Sequence, residues 1–246
     1  MKNIKFCLLL FLFTVSIRLS AQEKSYTVEY AATSASGSTG KGNILICTKT
    51  SSLYGKLNDK DIQQQNTISQ ERINNDVYIK SNKKAYVYKD VNRNFMISDE
   101  KIFLDTYIVK DVNSVFKWEL LNETKEILGH LCKKARTKFR GRSYEAYYAE
   151  DLEYPFGPWK FSGLPGLILQ VTADDHFIRY DAVEILQSDK MVVNPYQDNS
   201  NQIEFNTFKE LYIKKYKEVT AERKMPDGRT VNSEMSKGGK EIYIEF

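Results

Sequence analysis

Apolar and polar residues alternate in short runs along most of this chain. Tyr26-Thr27-Val28-Glu29-Tyr30 and Ile44-Leu45-Ile46-Cys47 read as strands. From residue 77 the runs come in close succession: 77–80, 85–88, 95–97 and 102–109, then 116–121, 124–128, 131–139, 144–148, 167–172 and 177–186. Asn and Asp clusters such as Asn74-Asn75-Asp76 separate some of them. Strands joined by turns, with no helix between, predict an antiparallel meander. The small, polar stretch 34–42 predicts a long hairpin loop. One segment changes period. Phe208, Leu211, Tyr212, Tyr216 and Val219 recur at threes and fours across 206–224, with Lys209, Lys214, Lys217 and Glu218 opposite. That is an amphipathic helix, stopped by Met225-Pro226-Asp227-Gly228. The expected fold is mainly β: a strongly bent antiparallel sheet, an open half-barrel, packed on this late helix. A β-sandwich is the alternative.

The first residues set the expected compartment. A short basic region holding Lys2 and Lys5 precedes an almost wholly apolar run from Phe6 to Ile17, and Leu19-Ser20-Ala21 ends in a small residue. The apolar run falls short of the ~20 residues a membrane span needs, so 1–21 reads as a signal peptide cleaved after Ala21. Residues 22–246 then form one domain, exported to the periplasm or secreted, with no transmembrane segment. Cleavage also removes Lys2, Lys5 and Arg18, taking the net charge from +4 to +1. A chain so nearly neutral gives no compositional support for nucleic-acid binding. The remaining cysteines, Cys47 and Cys132, read as buried thiols, with a disulfide between them as the alternative. With 16 Tyr and 13 Phe, the strands carry side chains that suit a half-buried curved sheet.

Gly163-Leu164-Pro165-Gly166-Leu167-Ile168 is a turn signal between apolar runs: Pro165 sets its own φ, and Gly166 is expected at φ above zero, as a type II turn requires. The hexapeptide follows Gly157-Pro158-Trp159-Lys160-Phe161. Upstream lie Gly129-His130-Leu131-Cys132-Lys133-Lys134-Ala135, Phe139-Arg140-Gly141-Arg142 and Ala146-Tyr147-Tyr148. In order and spacing these blocks resemble the GLPGLI family of exported bacterial proteins. His130 departs from the family's usual aromatic and Tyr147 from its usual Trp. That family has no agreed biochemical activity. The resemblance therefore implies export and a β-rich build, and the half-barrel is by analogy like that of periplasmic lipoprotein carriers. The family also resembles an accessory domain found ahead of the catalytic part of a bacterial glycan-releasing amidase, which implies a role in binding.

Catalytic constellations are sparse. After residue 21 the only histidines are His130 and His176, and there is no Gly-x-Ser-x-Gly or His-Glu-x-x-His. His130 and Cys132 share a strand face and are weak candidates for two ligands of copper or zinc. Asp174-Asp175-His176 offers oxygen donors but also reads as a turn. Glu145, Glu150, Asp151 and Glu153 supply carboxylates for glycoside chemistry with nothing to single out a pair. Lys134, Arg136, Lys138 and Arg140 fall on one face of the 131–139 strand, opposite Leu131, Ala135, Thr137 and Phe139. Arg140 and Arg142 flank Gly141 and are the candidates for gripping an anion, and Trp159, beside Pro158 just before the hexapeptide, is a pocket wall or a staple for the turn. The leading expectation is a non-catalytic envelope protein that binds an apolar or anionic ligand, or a protein partner, on its concave face, without a cofactor. Metal handling and an accessory role in glycan or peptide hydrolysis are the alternatives.

Overall fold

The structure is a computed structural model and describes residues 24–57, 85–225, 227, 229–231 and 233–244. The signal-peptide segment and the expected strand 77–80 lie outside the described residues. The first strands are β1 (Ser25–Ser34), β2 (Thr39–Cys47), β3 (Ser51–Lys56), β4 (Tyr86–Asp90), β5 (Phe95–Ile102) and β6 (Asp105–Val112). They are followed by β7 (Glu119–Ile127), β8 (His130–Phe139), β9 (Arg142–Ala149), β10 (Leu167–Ala173) and β11 (Ile178–Ser188). Last come β12 (Gln202–Glu204), helix α1 (Phe205–Thr220) and the small pair β13 (Arg223–Lys224) and β14 (Thr230–Val231).

Twelve strands form one open sheet in the order β12-β6-β5-β4-β3-β2-β1-β11-β10-β9-β8-β7. The chain lays down one meander from β1 outward to β6, crosses to the far edge, and meanders back from β7 to β11. The two halves join where β1 pairs antiparallel with β11, from Ser25 opposite Ser188 to Ser34 opposite Ile178. Every pairing in the sheet is antiparallel except β12 with β6, which is parallel.

Local differences from the sequence reading have local causes. The turn after β1 is confined to 35–38, with Gly37 at φ 76°, so the small polar stretch is mostly strand rather than loop. The 102–109 run is broken at Phe103, whose φ of 55° turns β5 back into β6. The 116–121 and 124–128 runs contribute to one strand, β7, with a register shift between Leu120 and Thr124. The helix ends at Thr220, and 223–224 pair with β14. On α1 only Phe208 and Tyr212 are buried. They pack against Ile102, Val109 and Tyr243 at the β6 end of the sheet, while Leu211 is exposed.

The inside of the bend is filled by the chain itself. The 150–166 connection between β9 and β10 carries Tyr154, Phe156, Trp159, Phe161 and Leu164, all buried in the main core with Val28, Tyr30, Leu45, Tyr54 and Val87 from the other half of the sheet. Opposite-facing residues Ile46, Leu53, Tyr88 and Ile97 form a separate core under Tyr196. The middle strands are thus covered on both faces, and Ile44-Leu45-Ile46-Cys47 is continuously apolar rather than alternating.

A connection buried this deeply must find partners for its backbone. Lys89 on β4, with 0% exposure, donates to the carbonyls of Gly157, Trp159 and Phe161 at 2.9, 2.9 and 2.8 Å. Burial pulls its pKa down to about 7, with Cys47 acting against that shift. Three carbonyls nevertheless match the three N–H bonds of the ammonium form. The far end is tied back by Leu167 N–H to the Leu152 carbonyl and Ile168 N–H to the Phe156 carbonyl, each at 2.9 Å. Tyr30 caps the Ile168 carbonyl at 2.6 Å.

Gly166 is required for a reason other than the expected one. The positive φ of the hexapeptide, 89°, belongs to Gly163. At Gly166 an added Cβ would overlap the Ala149 carbonyl oxygen and come within 3.0 Å of the Glu150 Cα, backbone atoms that cannot swing aside. The expected turn is replaced by close packing of the motif on the start of the connection.

Two outcomes follow. Lys89→Met leaves the connection's carbonyls without their charged donor and should lower unfolding free energy by about 3 kcal/mol in urea titrations. A loss under about 1 kcal/mol would mean apolar packing alone holds the connection. Gly166→Ala should destabilise by about 1–3 kcal/mol through overpacking, comparable to or more than Gly163→Ala, whose strain is about 1–2 kcal/mol. A neutral Gly166→Ala in a thermal melt would contradict the close approach.

Candidate functional site

Where the tail 239–243 crosses the concave side, it borders a half-open cavity of about 730 Å³ against β3, β4, β11 and the 150–166 connection. Tyr54, Trp159, Phe177, Tyr180, Tyr212 and Tyr243 give it an aromatic lining. Trp159 is held at φ 51°, a left-handed conformation unusual for a tryptophan, by the same packing that buries it.

The tail is clasped by charges. Glu241, 2% exposed, accepts from Lys160 Nζ at 2.8 Å, Arg140 Nη1 at 2.9 Å and the Tyr243 hydroxyl at 2.6 Å. Burial would raise its pKa, but Lys160, Arg140 and the donated hydrogen bonds outweigh this and hold it below the usual carboxylate range. Lys160 also reaches Glu100 of β5 at 2.7 Å. Burial works against the Lys160 charge, and Glu100 and Glu241 overcome it, so its pKa is raised. Arg140 further pairs with Asp111 of β6, and its guanidinium lies 3.2 Å from the centre of the Phe205 ring at the start of α1. This network spans from β5 and β6 to the β8–β9 turn.

The two candidate arginines are therefore brought close to the cavity but engaged inside the protein. Arg142 pairs with Asp175 and donates to the Gly239 carbonyl at 3.0 Å, and it sits over Phe177. Its Nε is buried without a partner. Their carboxylates come from Asp111, Asp175 and Glu241, not from the neighbouring Glu145 or Glu150. Gly141 does admit a close neighbour: Ile242 of the tail, whose Cβ would be 2.9 Å from an added Cβ. Trp159 lines the cavity, while Trp118 lies outside its lining and donates to the Ser162 carbonyl at 2.8 Å.

The other candidates are dispersed. His130 Nδ1 sits 2.6 Å from Asp151, and the buried Cys132 thiol donates to the His130 carbonyl at 3.5 Å. Cys47 and Cys132 are free thiols. Burial pushes them up to about 12 and about 11. Among the described residues no three His, Cys, Asp or Glu side chains converge to hold a metal ion. Asp174 and Asp175 form the β10–β11 turn, where Asp175 accepts the Phe177 N–H. Glu145 pairs with Arg136 and Lys134, Glu150 with Lys133, and Glu153 with Lys49. On β8, Arg136 and Lys138 are exposed, but Lys134 is buried at 9% and Leu131 is 67% exposed. The even-and-odd division therefore does not hold along the whole strand, because the sheet face that is core at Phe139 is solvent-facing at Leu131.

Lys89, Tyr180, Lys240 and Glu241 were not singled out from sequence. Lys89 had a faint signal, since alternation places it on the face of Val87. Lys160 stood in the Gly-Pro-x-Lys-Phe block without an assigned role. The other three carry no local mark, because the groups packed around them come from distant parts of the sequence.

No curated protein matches the chain. Two crystal structures of PNGF-II are similar, in space groups C2 and P21, at 18% identity over 78% of this chain. Their TM-scores are 0.49 and 0.50, and the chain covers 33% and 34% of theirs. It spans about a third of the length of these relatives, and at that identity the P21 likeness shows a shared fold. A family model described as the N-glycanase peptide, N-terminal domain, matches residues 56–210, more than half of the sequence. The chain therefore belongs to the N-glycanase N-terminal domain family.

Proposed function

We propose that this protein is a non-catalytic accessory domain in glycan hydrolysis, which engages glycan-bearing substrate through its concave face and leaves bond cleavage to a separate catalytic unit. The family match over 56–210 carries this reading. The aromatic cavity under the tail supports it, since such a lining presents flat apolar surface with polar edges. The carboxylates Glu145, Glu150, Asp151 and Glu153 are each tied to a basic partner rather than facing one another across a cleft, which favours a binding role over hydrolysis. We take the protein to be exported, on the basic, apolar and small-residue order of 1–21, and to be a GLPGLI-type protein on the hexapeptide and its three blocks.

The test is binding of the purified chain to an immobilised glycoprotein with N-linked glycans and to the same polypeptide after deglycosylation. Affinity should fall by about 10-fold or more when the glycan is removed, a difference of about 1.4 kcal/mol. Mass spectrometry of the incubated glycoprotein should find no released glycan. Equal binding to both forms would defeat the accessory role, and released glycan would make the protein an enzyme.

A further inference from the structure

Three observations about the cavity concern charge and hydrogen bonding rather than its aromatic lining. Lys240, half-buried in the tail, has its ammonium 5.1 Å from the ring centre of Trp159 and 5.5 Å from that of Tyr180. No carboxylate pairs with it among the described residues. Second, the acidic groups that share the lining are already taken. Glu241 is held by Lys160, Arg140 and Tyr243, Glu100 by Lys160 and the Ser98 hydroxyl, and Asp99 by the Tyr196 hydroxyl and the Tyr86 N–H. Among the lining charges without an ion-pair partner in the described residues, Asp99 is engaged by its two hydrogen bonds, and the others are cations: Lys240, Lys56 and Lys101. Third, Tyr180 lines the cavity at 1% exposure, and its hydroxyl is buried with no hydrogen-bond partner. A buried hydroxyl of this kind calls for a partner that the protein does not provide.

We propose that the cavity binds an acidic sugar, its carboxylate on Lys240, its ring within the aromatic lining, and a ring hydroxyl bonded to Tyr180. This rests on the accessory glycan role proposed above and names the class of residue recognised. A charged hydrogen bond from Lys240 supplies the discrimination between acid and neutral sugar. An acyl chain ending in a carboxylate would satisfy Lys240 but leave the Tyr180 hydroxyl unpaired. The volume, about 730 Å³, lies in the range of small-ligand pockets. Burial lowers the pKa of Lys240 to about 8, Glu100 and Glu241 opposing and Lys160 reinforcing the shift. Its positive charge is therefore present at neutral pH and lost as pH rises through that value.

Cellobiose and cellobiouronic acid differ only in one carboxylate and make the probe. By isothermal titration at pH 7, the acid should bind about 10-fold more tightly than the neutral disaccharide, as one charged hydrogen bond implies. Lys240→Met should erase that preference, and Lys240→Arg should keep it. Tyr180→Phe should weaken both sugars alike, and the preference for the acid should shrink above pH 8. Thermal melts identify any variant that fails to fold, and the wild-type comparison of the two sugars needs no variant at all. Equal affinity for the two sugars, or a preference that survives Lys240→Met, overturns the proposal. So does capture of decanoate in place of either sugar. If neither disaccharide binds while the glycoprotein still does, the cavity assignment fails and the accessory role stands. If both assays are silent, both readings fall.

Discussion

An open half-barrel has to fill its own inside, and here it does so with irregular backbone, which is the most demanding filling available. Strands satisfy one another; a connection such as 150–166 does not, and each buried carbonyl left unpaired costs about 1–3 kcal/mol. Lys89 meets that constraint from one half of the sheet. Lys160, carried by the connection itself, anchors it to Glu100 and Glu241. Two buried lysines are thus consequences of a single choice, to make the core from a loop. Neither is a surface charge in the ordinary sense. The aromatic residues around them supply the apolar area, while the lysines decide which conformation of the loop is allowed.

The clasp of Glu241, Arg140, Asp111 and Lys160 performs the corresponding task for the tail. A buried ion pair is weak support for stability when compared with well-packed hydrophobic residues, yet removing one partner is severe because it strands the other. Four groups sharing charge in this way tie elements from opposite parts of the sheet to one register. The cavity exists between these two devices. Its floor is set by Trp159 on the connection and its roof by Lys240 on the tail, both next in sequence to members of the network.

Much of the fold was legible in the sequence, because strand alternation and helical period are local properties. Tyr26 to Tyr30, 131–139 and 167–172 all fall on strands, and Phe208 with Tyr212 marks the buried stripe of the helix. β3 escaped notice because Ser51-Ser52-Leu53-Tyr54-Gly55-Lys56 has neither a clean alternation nor flanking turn signals strong enough to set it apart. β12 escaped because Gln202–Glu204 is too short to show any period. The hexapeptide stood out, but its physical reason did not: the close approach of Gly166 to Ala149 is a contact between two backbones and leaves no trace in a pattern of types. The site was least legible. Arg140 and Arg142 were visible as a basic pair, whereas Asp111, Asp175 and Glu241, which engage them, lie 29, 33 and 101 residues away.

The seam between β1 and β11 has a consequence for how the chain reaches this state. Most pairs within each meander, such as β1 with β2 and β8 with β9, join strands close in sequence, so these hairpins can form early and independently. The seam joins residues as far apart as Ser25 and Ser188, and it carries the largest loop-closure entropy in the sheet. During synthesis the first meander emerges with β1, carrying Tyr26, Val28 and Tyr30, as a bare edge long before β11 exists to cover it. Zipping of that seam is therefore the slow event of folding, and the nascent protein is most open to aggregation while it waits.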